Sequence, residues 1–144
     1  MTFEQALVFA ERTSYLGVPG HLVTITSAAE DEFVFNLYGY HVIWIGATDL
    51  LVPGKFAWVA GPEKGTVFSY TNWAKGEPNN FLGSSEHCVQ FSENLKQWND
   101  QPCHFNLSFV IEYECPAGQV FTPTGCNGMI HSIIVLRLVA DSFA

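Results

Sequence analysis

The stretch from Glu77 to Asp100, read more widely as KGEPNNFLGSSEHCVQFSENLKQWND, constrains this chain more than any other. It concentrates hard oxygen donors: Glu77 and Asn79 on either side of Pro78, Glu86 further on, and Asn99 with Asp100 directly after Trp98. Carboxylate and amide oxygens at this density suit Ca²⁺, which takes about six to eight oxygen ligands in a flexible shell. Three carboxylates and two amides would hold such an ion and leave oxygens free to hydrogen-bond something else. The proline between the first two donors stiffens the loop. The rest of the chain then has one task, to scaffold a long irregular segment.

Composition agrees with a packed scaffold. A length of 144 residues predicts one domain able to bury a core. Hydrophobic content of 48% and aromatic content of 15% argue against disorder. The net charge of −8, with only six Lys and Arg to meet phosphates, argues against a nucleic-acid partner. Part of that negative charge lies in the oxygen-rich stretch, where a bound cation would offset it. Met1 leads straight into a helix-like pattern without the basic start and apolar core of a secretory leader. The expectation is therefore a piece cut from a longer precursor or one that begins inside a domain. The longest apolar run, near Ile130 to Ala140, is too short for a bilayer and contains Arg137.

Local patterns predict two helices and several short strands. Thr2 and Gln5 form a capping-box pattern, opening a helix to about Tyr15 with Phe3, Ala6, Leu7 and Ala10 on one face. Gly17-Val18-Pro19-Gly20 breaks it, and His21 to Ile25 alternates as a strand. Ser27 and Glu30 make a second capping box, for a helix that buries Phe33, Val34 and Leu37 and stops near Gly39. His41 to Gly46 reads as a strand with Trp44 in the core, and Pro53-Gly54 turns the chain into Phe56 to Val59. Gly61 to Ser85 is rich in Gly, Pro, Asn and Ser, and so long an irregular region is usually functional. Strands follow at Cys88 to Phe91, Lys96 to Trp98 and Phe109 to Tyr113. Two helices flanking a small antiparallel sheet and a long loop give an α+β fold.

These blocks carry a resemblance. GHLVTITSAAEDEFV, WIGATD, YTNWAKGEPNN, EHCVQF, WND and the closing FVIEYEC, in that order and spacing, resemble the C-type lectin-like domain family from about Thr2 to Cys115. The resemblance implies the C-type lectin-like fold, with a lectin domain over residues 1–115 and a C-terminal extension over 116–144. It implies one Ca²⁺ held by Glu77, Asn79, Glu86, Asn99 and Asp100, with the Glu77–Pro78 peptide bond usually cis so that both flanking side chains turn toward the ion. It implies sugar binding through Glu77, Asn79, Glu86 and Asn99: adjacent hydroxyls ligate the ion while carboxylates accept, and amides donate, hydrogen bonds. The Glu-then-Asn order resembles the mannose-type lectins, which predicts mannose, glucose, N-acetylglucosamine or fucose over galactose. The auxiliary Ca²⁺ site of some members keeps Asp49 here, but Pro53, Asn80 and His87 replace richer ligands, so one ion is expected. His87 then faces solvent, stiffens the loop or senses pH.

The cysteines follow the same comparison. Cys88 and Cys103 match the family's inner disulfide. Its outer bridge departs from the first helix, where Ala10 stands here, leaving Cys115 to pair with the nearby Cys126. Disulfides imply an extracellular or cell-surface setting; the alternative is four buried reduced thiols. The family's usual first strand is missing, so the closing strand would present an unpaired edge. MIHSIIVLRLVA favours a strand, and Ile130 to Val139 folding back beside Phe109 to Tyr113 would fill that place; a disordered tail is the alternative.

Two other functions compete. An enzyme would need a nucleophile with a base or a His-rich metal site, and His21, His41, His87, His104 and His131 show no HExxH-like spacing. His87 beside Cys88 would suggest a thiol nucleophile only if that cysteine were free. A module of the same fold that binds protein or another non-sugar ligand, in recognition or adhesion, is the stronger rival, because fold does not fix function. Partners are then glycans or glycoproteins, with self-association or a larger parent protein supplying the multivalency that weak sugar sites need. Asn106-Leu107-Ser108 also matches an N-glycosylation acceptor, a short motif that chance often supplies.

Overall fold

The computed structural model describes residues 1–38, 41–83, 85–92, 96–117, 119–127 and 134–139. Helix α1 (Phe3–Glu11) opens on the predicted capping box, with Thr2 Oγ1 accepting the Gln5 amide and Gln5 Oε1 accepting the Thr2 amide. It buries Phe3, Ala6 and Ala10. The helix ends at Glu11 rather than Tyr15, because the Thr13 hydroxyl bonds back to the Ala10 carbonyl and Ser14–Tyr15 becomes a short strand, β1. β1 pairs antiparallel with β2 (Val18–Leu22) across Leu16 and Gly17, whose φ values of 49° and 81° suit the two-residue turn that strand twist favours. The second strand therefore lies earlier than His21 to Ile25.

Helix α2 (Ala28–Tyr38) corrects the predicted buried face. Phe33 and Leu37 are 46% and 50% exposed, and the inward stripe is Asp31, Val34, Phe35 and Tyr38. That spacing is helical, but its first member is an acid, so a search for apolar residues alone rotates the helix by part of a turn. The capping is also modified: Ser27 Oγ accepts the Glu30 amide, while the Glu30 carboxylate reaches past Ser27 to the Thr26 amide and hydroxyl.

The remaining strands are β3 (Ile43–Thr48), β4 (Ala57–Trp58), β5 (Glu86–Ser92), β6 (Gln97–Pro102) and β7 (Ser108–Glu114). They assemble in the order β1-β2-β7-β3-β5-β6, with β4 on β3. Pairings are antiparallel except β3 with β7, which run parallel, so the sheet is mixed. β3 is buried along its whole length. One apolar cluster joins Phe3, Leu22, Trp44 and Phe109 beneath α1. A second joins Val34, Ile45, Trp58 and Trp98 beneath α2 and the long loop. This is the α+β arrangement predicted.

Cys88 is bridged to Cys103 and Cys115 to Cys126, and no cysteine is free. The second bridge closes a hairpin of β8 (Val120–Thr122) and β9 (Gly125–Asn127). Beyond it, β10 (Ile134–Val139) runs antiparallel along β7, from Ile134 opposite Glu114 to Val139 opposite Phe109. β7 is thus hydrogen-bonded on both sides. The expected start of that strand at Ile130 and the helix stop at Gly39 lie outside the described residues.

Candidate functional site

The long loop is fastened to the sheet by rings. Phe68 packs on Trp58 and Trp98, with centroids 4.7 and 5.5 Å away, and Tyr70 and Trp73 lie edge-on to Trp98 at 5.8 and 5.9 Å. Backbone bonds then run between the loop and β6: the Trp98 amide donates to the Asn72 carbonyl at 2.7 Å, and the Ala74 amide to the Trp98 carbonyl at 2.8 Å. The Glu77 amide donates to the Ala74 carbonyl, and the Glu77–Pro78 peptide bond is cis.

Past that proline the candidate ligands meet. Asp100, only 1% exposed, accepts the Asn79 amide at 3.0 Å and the Asn80 amide at 2.8 Å, one on each carboxylate oxygen. Asn79 Nδ2 donates to Glu77 Oε1 at 2.9 Å. Glu86, 8% exposed, accepts the Phe81 amide at 2.6 Å, and its own amide donates to Asn80 Oδ1 at 3.0 Å. Burial raises the Glu77 pKa above the usual carboxylate range, and the neighbouring Asp100 and Glu86 carboxyls raise it further. Glu77 Oε2 is buried without a hydrogen-bond partner. Glu77, Asn79, Glu86 and Asp100 are therefore joined in one network. Asn99 sits half-buried beside Asp100 on β6, opposite Gln90.

Asn80 has a larger part than its sequence position suggested. At φ 44° it stands in the left-handed region, where Asn is tolerated, and it links Asp100 to the start of β5. The Asn-Asn pair after a proline was the available signal. Asp49 and His87 pair at 2.7 Å, and the Gly54 amide donates to the other Asp49 oxygen at 2.6 Å. His87 thus braces the loop after β3 rather than simply facing solvent.

A second acidic centre was not foreseen. His21, Glu112 and Glu114 each offer a ligand atom within 4.8 Å of the others, the one such set of three His, Cys, Asp or Glu among the described residues. The trio Glu77, Glu86 and Asp100 is more open than this. Glu112 lies opposite His21 across β2 and β7, and its Oε2 accepts the Thr24 amide at 3.0 Å. Burial, with Glu114, Glu63 and Glu30 around it, pushes its pKa up to about 8. His21 Nδ1 bonds to the Leu22 carbonyl at 2.9 Å, and burial lowers its pKa.

With this geometry in place, a family model described as the Lectin C-type domain matches residues 10–112. The chain is a C-type lectin domain. Human C-type lectin domain family 4 member K is 37% identical over 93 residues, covering 64% of this chain and 28% of that protein. The carbohydrate-recognition domain of cow CD23, solved in the presence of a GlcNAc2Man3 oligosaccharide, is 33% identical, with a TM-score of 0.60 over 74% of each chain. A calcium-independent type II antifreeze protein is 28% identical, with a TM-score of 0.63 over 77% of this chain and 76% of its own. The chain spans only 1% and 28% of the first two curated relatives it matches. C-type lectin domains are ligand-recognition modules, typically extracellular or on cell surfaces, and the two disulfides of this lectin domain fit that setting. Among the described residues no helix is long and apolar enough to cross a membrane.

Proposed function

We propose that this lectin domain binds carbohydrate through one Ca²⁺ held by Glu77, Asn79, Glu86, Asn99 and Asp100, with mannose-type preference. The observation that carries the reading is the meeting of Glu77, Glu86 and Asp100, with a buried Glu77 oxygen that has no donor. Like charges brought together in a partly desolvated place are costly unless a cation offsets them. Oxygen donors of this kind fit Ca²⁺ rather than a softer metal. Each Asp100 oxygen that accepts an amide retains a second lone pair for an ion.

When bound, the ion would supply open coordination positions for two adjacent sugar hydroxyls. The chain's own part is hydrogen bonding. Glu77 and Glu86 accept hydroxyl protons, and the amide nitrogens of Asn79 and Asn99 donate to hydroxyl oxygens. Asp100 holds the Asn79–Asn80 backbone in place. Such a site is shallow: an affinity near 1 mM is about −4 kcal/mol, so several copies on one parent or assembly would be needed for tight capture. The role is binding, with no catalytic step, and the partners are glycans or glycoproteins met outside the cell. Residues 1–115 form the lectin domain in this reading, and 116–144 form an extension that adds a strand.

Retention on a mannose column, with elution by EDTA and restoration by Ca²⁺, tests the proposal; retention that survives chelation overturns it. The rival, a non-sugar ligand, draws on the calcium-independent antifreeze neighbour. A glycan array silent with and without Ca²⁺ would favour it.

A further inference from the structure

Asp31 is an acid on the inward face of α2, away from the candidate ligands, and it is nearly fully buried. Its Oδ1 accepts the Trp98 indole N–H at 2.8 Å, and its Oδ2 accepts Asn72 Nδ2 at 2.7 Å. Those two partners belong to the two segments that build the site. Asn72 lies on the loop that continues through Ala74 to Glu77 and Asn79, and its amide nitrogen also donates to the Lys96 carbonyl at 2.6 Å. Trp98 immediately precedes Asn99 and Asp100 on β6. One carboxylate thus bridges both halves of the ligand network from behind, at the point where loop and strand are already bonded through Asn72, Ala74 and Trp98 backbones. Burying a carboxylate is expensive unless its hydrogen bonds are made, and here both oxygens are matched by donors.

We propose that Asp31 is a positioning residue for the ligand site: its carboxylate fixes the loop bearing Glu77 and Asn79 against the strand bearing Asn99 and Asp100. An apolar residue would fill the same volume in α2 and leave that registration to the backbone alone. Supporting residues that orient binding groups commonly change metal affinity by about 10–100-fold when altered. The part of the inference that concerns affinity rests on the Ca²⁺ reading above; the part that concerns loop geometry does not.

The substitution Asp31→Asn separates the two. An amide is the same shape but offers one acceptor, so either the indole or the Asn72 side chain faces a second N–H group. Val34→Ala, on the same helix and in the same core, serves as a comparator that weakens the fold while leaving both hydrogen bonds of the Asp31 bridge in place. In metal-free protein, Asp31→Asn should speed amide exchange of residues 72–80 and 98–100 by about tenfold, beyond any change seen in a Val34→Ala protein compared at equal distance below its melting temperature. In Ca²⁺ titrations it should weaken affinity by about tenfold, while Val34→Ala stays within about twofold. If Asp31→Asn does not fold, Asn72→Ala removes one arm of the bridge and should move both readouts the same way by about threefold. Equal loosening in Asp31→Asn and Val34→Ala, or unchanged exchange in Asp31→Asn, overturns the inference. A wild-type protein that takes up no Ca²⁺ sinks the lectin proposal instead, and the exchange measurement alone then decides this one.

Discussion

The buried acid Glu112 should set how stability responds to alkali. Its folded pKa of about 8 stands far above the ordinary glutamate value of 4.5, chiefly because burial penalises the charged form. Between those two values the native state holds a proton that the unfolded chain has lost, so stability falls as pH rises and levels off above the folded pKa. From pH 7 to 9 the loss amounts to about 1 kcal/mol. His21 has the opposite sign: burial lowers its pKa from 6.5, so it contributes a gain in stability as pH rises toward neutrality and nothing above. The interval from pH 7 to 9 therefore leaves His21 out, and comparison with a variant isolates the acid. Glu112→Gln keeps an oxygen for the Thr24 amide and removes the ionisation. Urea denaturation in the presence of a chelator, at half-unit steps, should show the wild-type midpoint falling by roughly 0.5 M across the interval, given about 1–3 kcal/mol per molar urea. The variant should stay level relative to it, since Glu114, Glu77 and Asp31 are common to both. Parallel curves for the two proteins would refute the assignment of this slope to Glu112.

Three further outcomes follow from the geometry. Asp100→Ala removes the charged acceptor of the Asn79 and Asn80 amides; a hydrogen bond to a charged group contributes about 1.5–3 kcal/mol, so denaturation in chelator should show a loss of about 2 kcal/mol, and calorimetry should show no Ca²⁺ uptake. Ca²⁺ affinity measured at pH 7.5, 6 and 5 should fall with acid, because Glu77 takes up its proton above the usual glutamate range and protonated carboxylates make poor ligands. Replacing Cys115 and Cys126 by Ala opens a loop with a sequence separation of 11; loop entropy puts the cost at about 3 kcal/mol, with Ca²⁺ affinity unchanged, as thermal unfolding and titration will show.

The parts of the fold legible in the sequence were those governed by local chemistry. Thr2 and Gln5 announced α1, and Pro53-Gly54 announced the turn into β4, because caps and turns are decided within a few residues. The partners of the four cysteines were also legible once family order was recognised. What the sequence does not carry is tertiary. Nothing local marks Asp31 as an inward residue, because its partners Trp98 and Asn72 come from distant segments, and the apolar pattern alone points Phe33 and Leu37 inward instead. The parallel contact of β3 with β7 joins strands far apart in the chain, and no pattern in either reveals it. At the candidate site, the density of oxygen atoms was visible, whereas Asn80 as a hinge between Asp100 and Glu86 depends on a left-handed backbone that only the fold displays.

The two-way hydrogen bonding of Met1 with Leu107, seen beside the pairing of Val139 with Phe109, has an architectural consequence. Met1, bonded just ahead of β7, and Val139, paired within it, are far apart in sequence yet held beside positions only two residues apart, Leu107 and Phe109. Loosening that one end of β7 would therefore release both segments together.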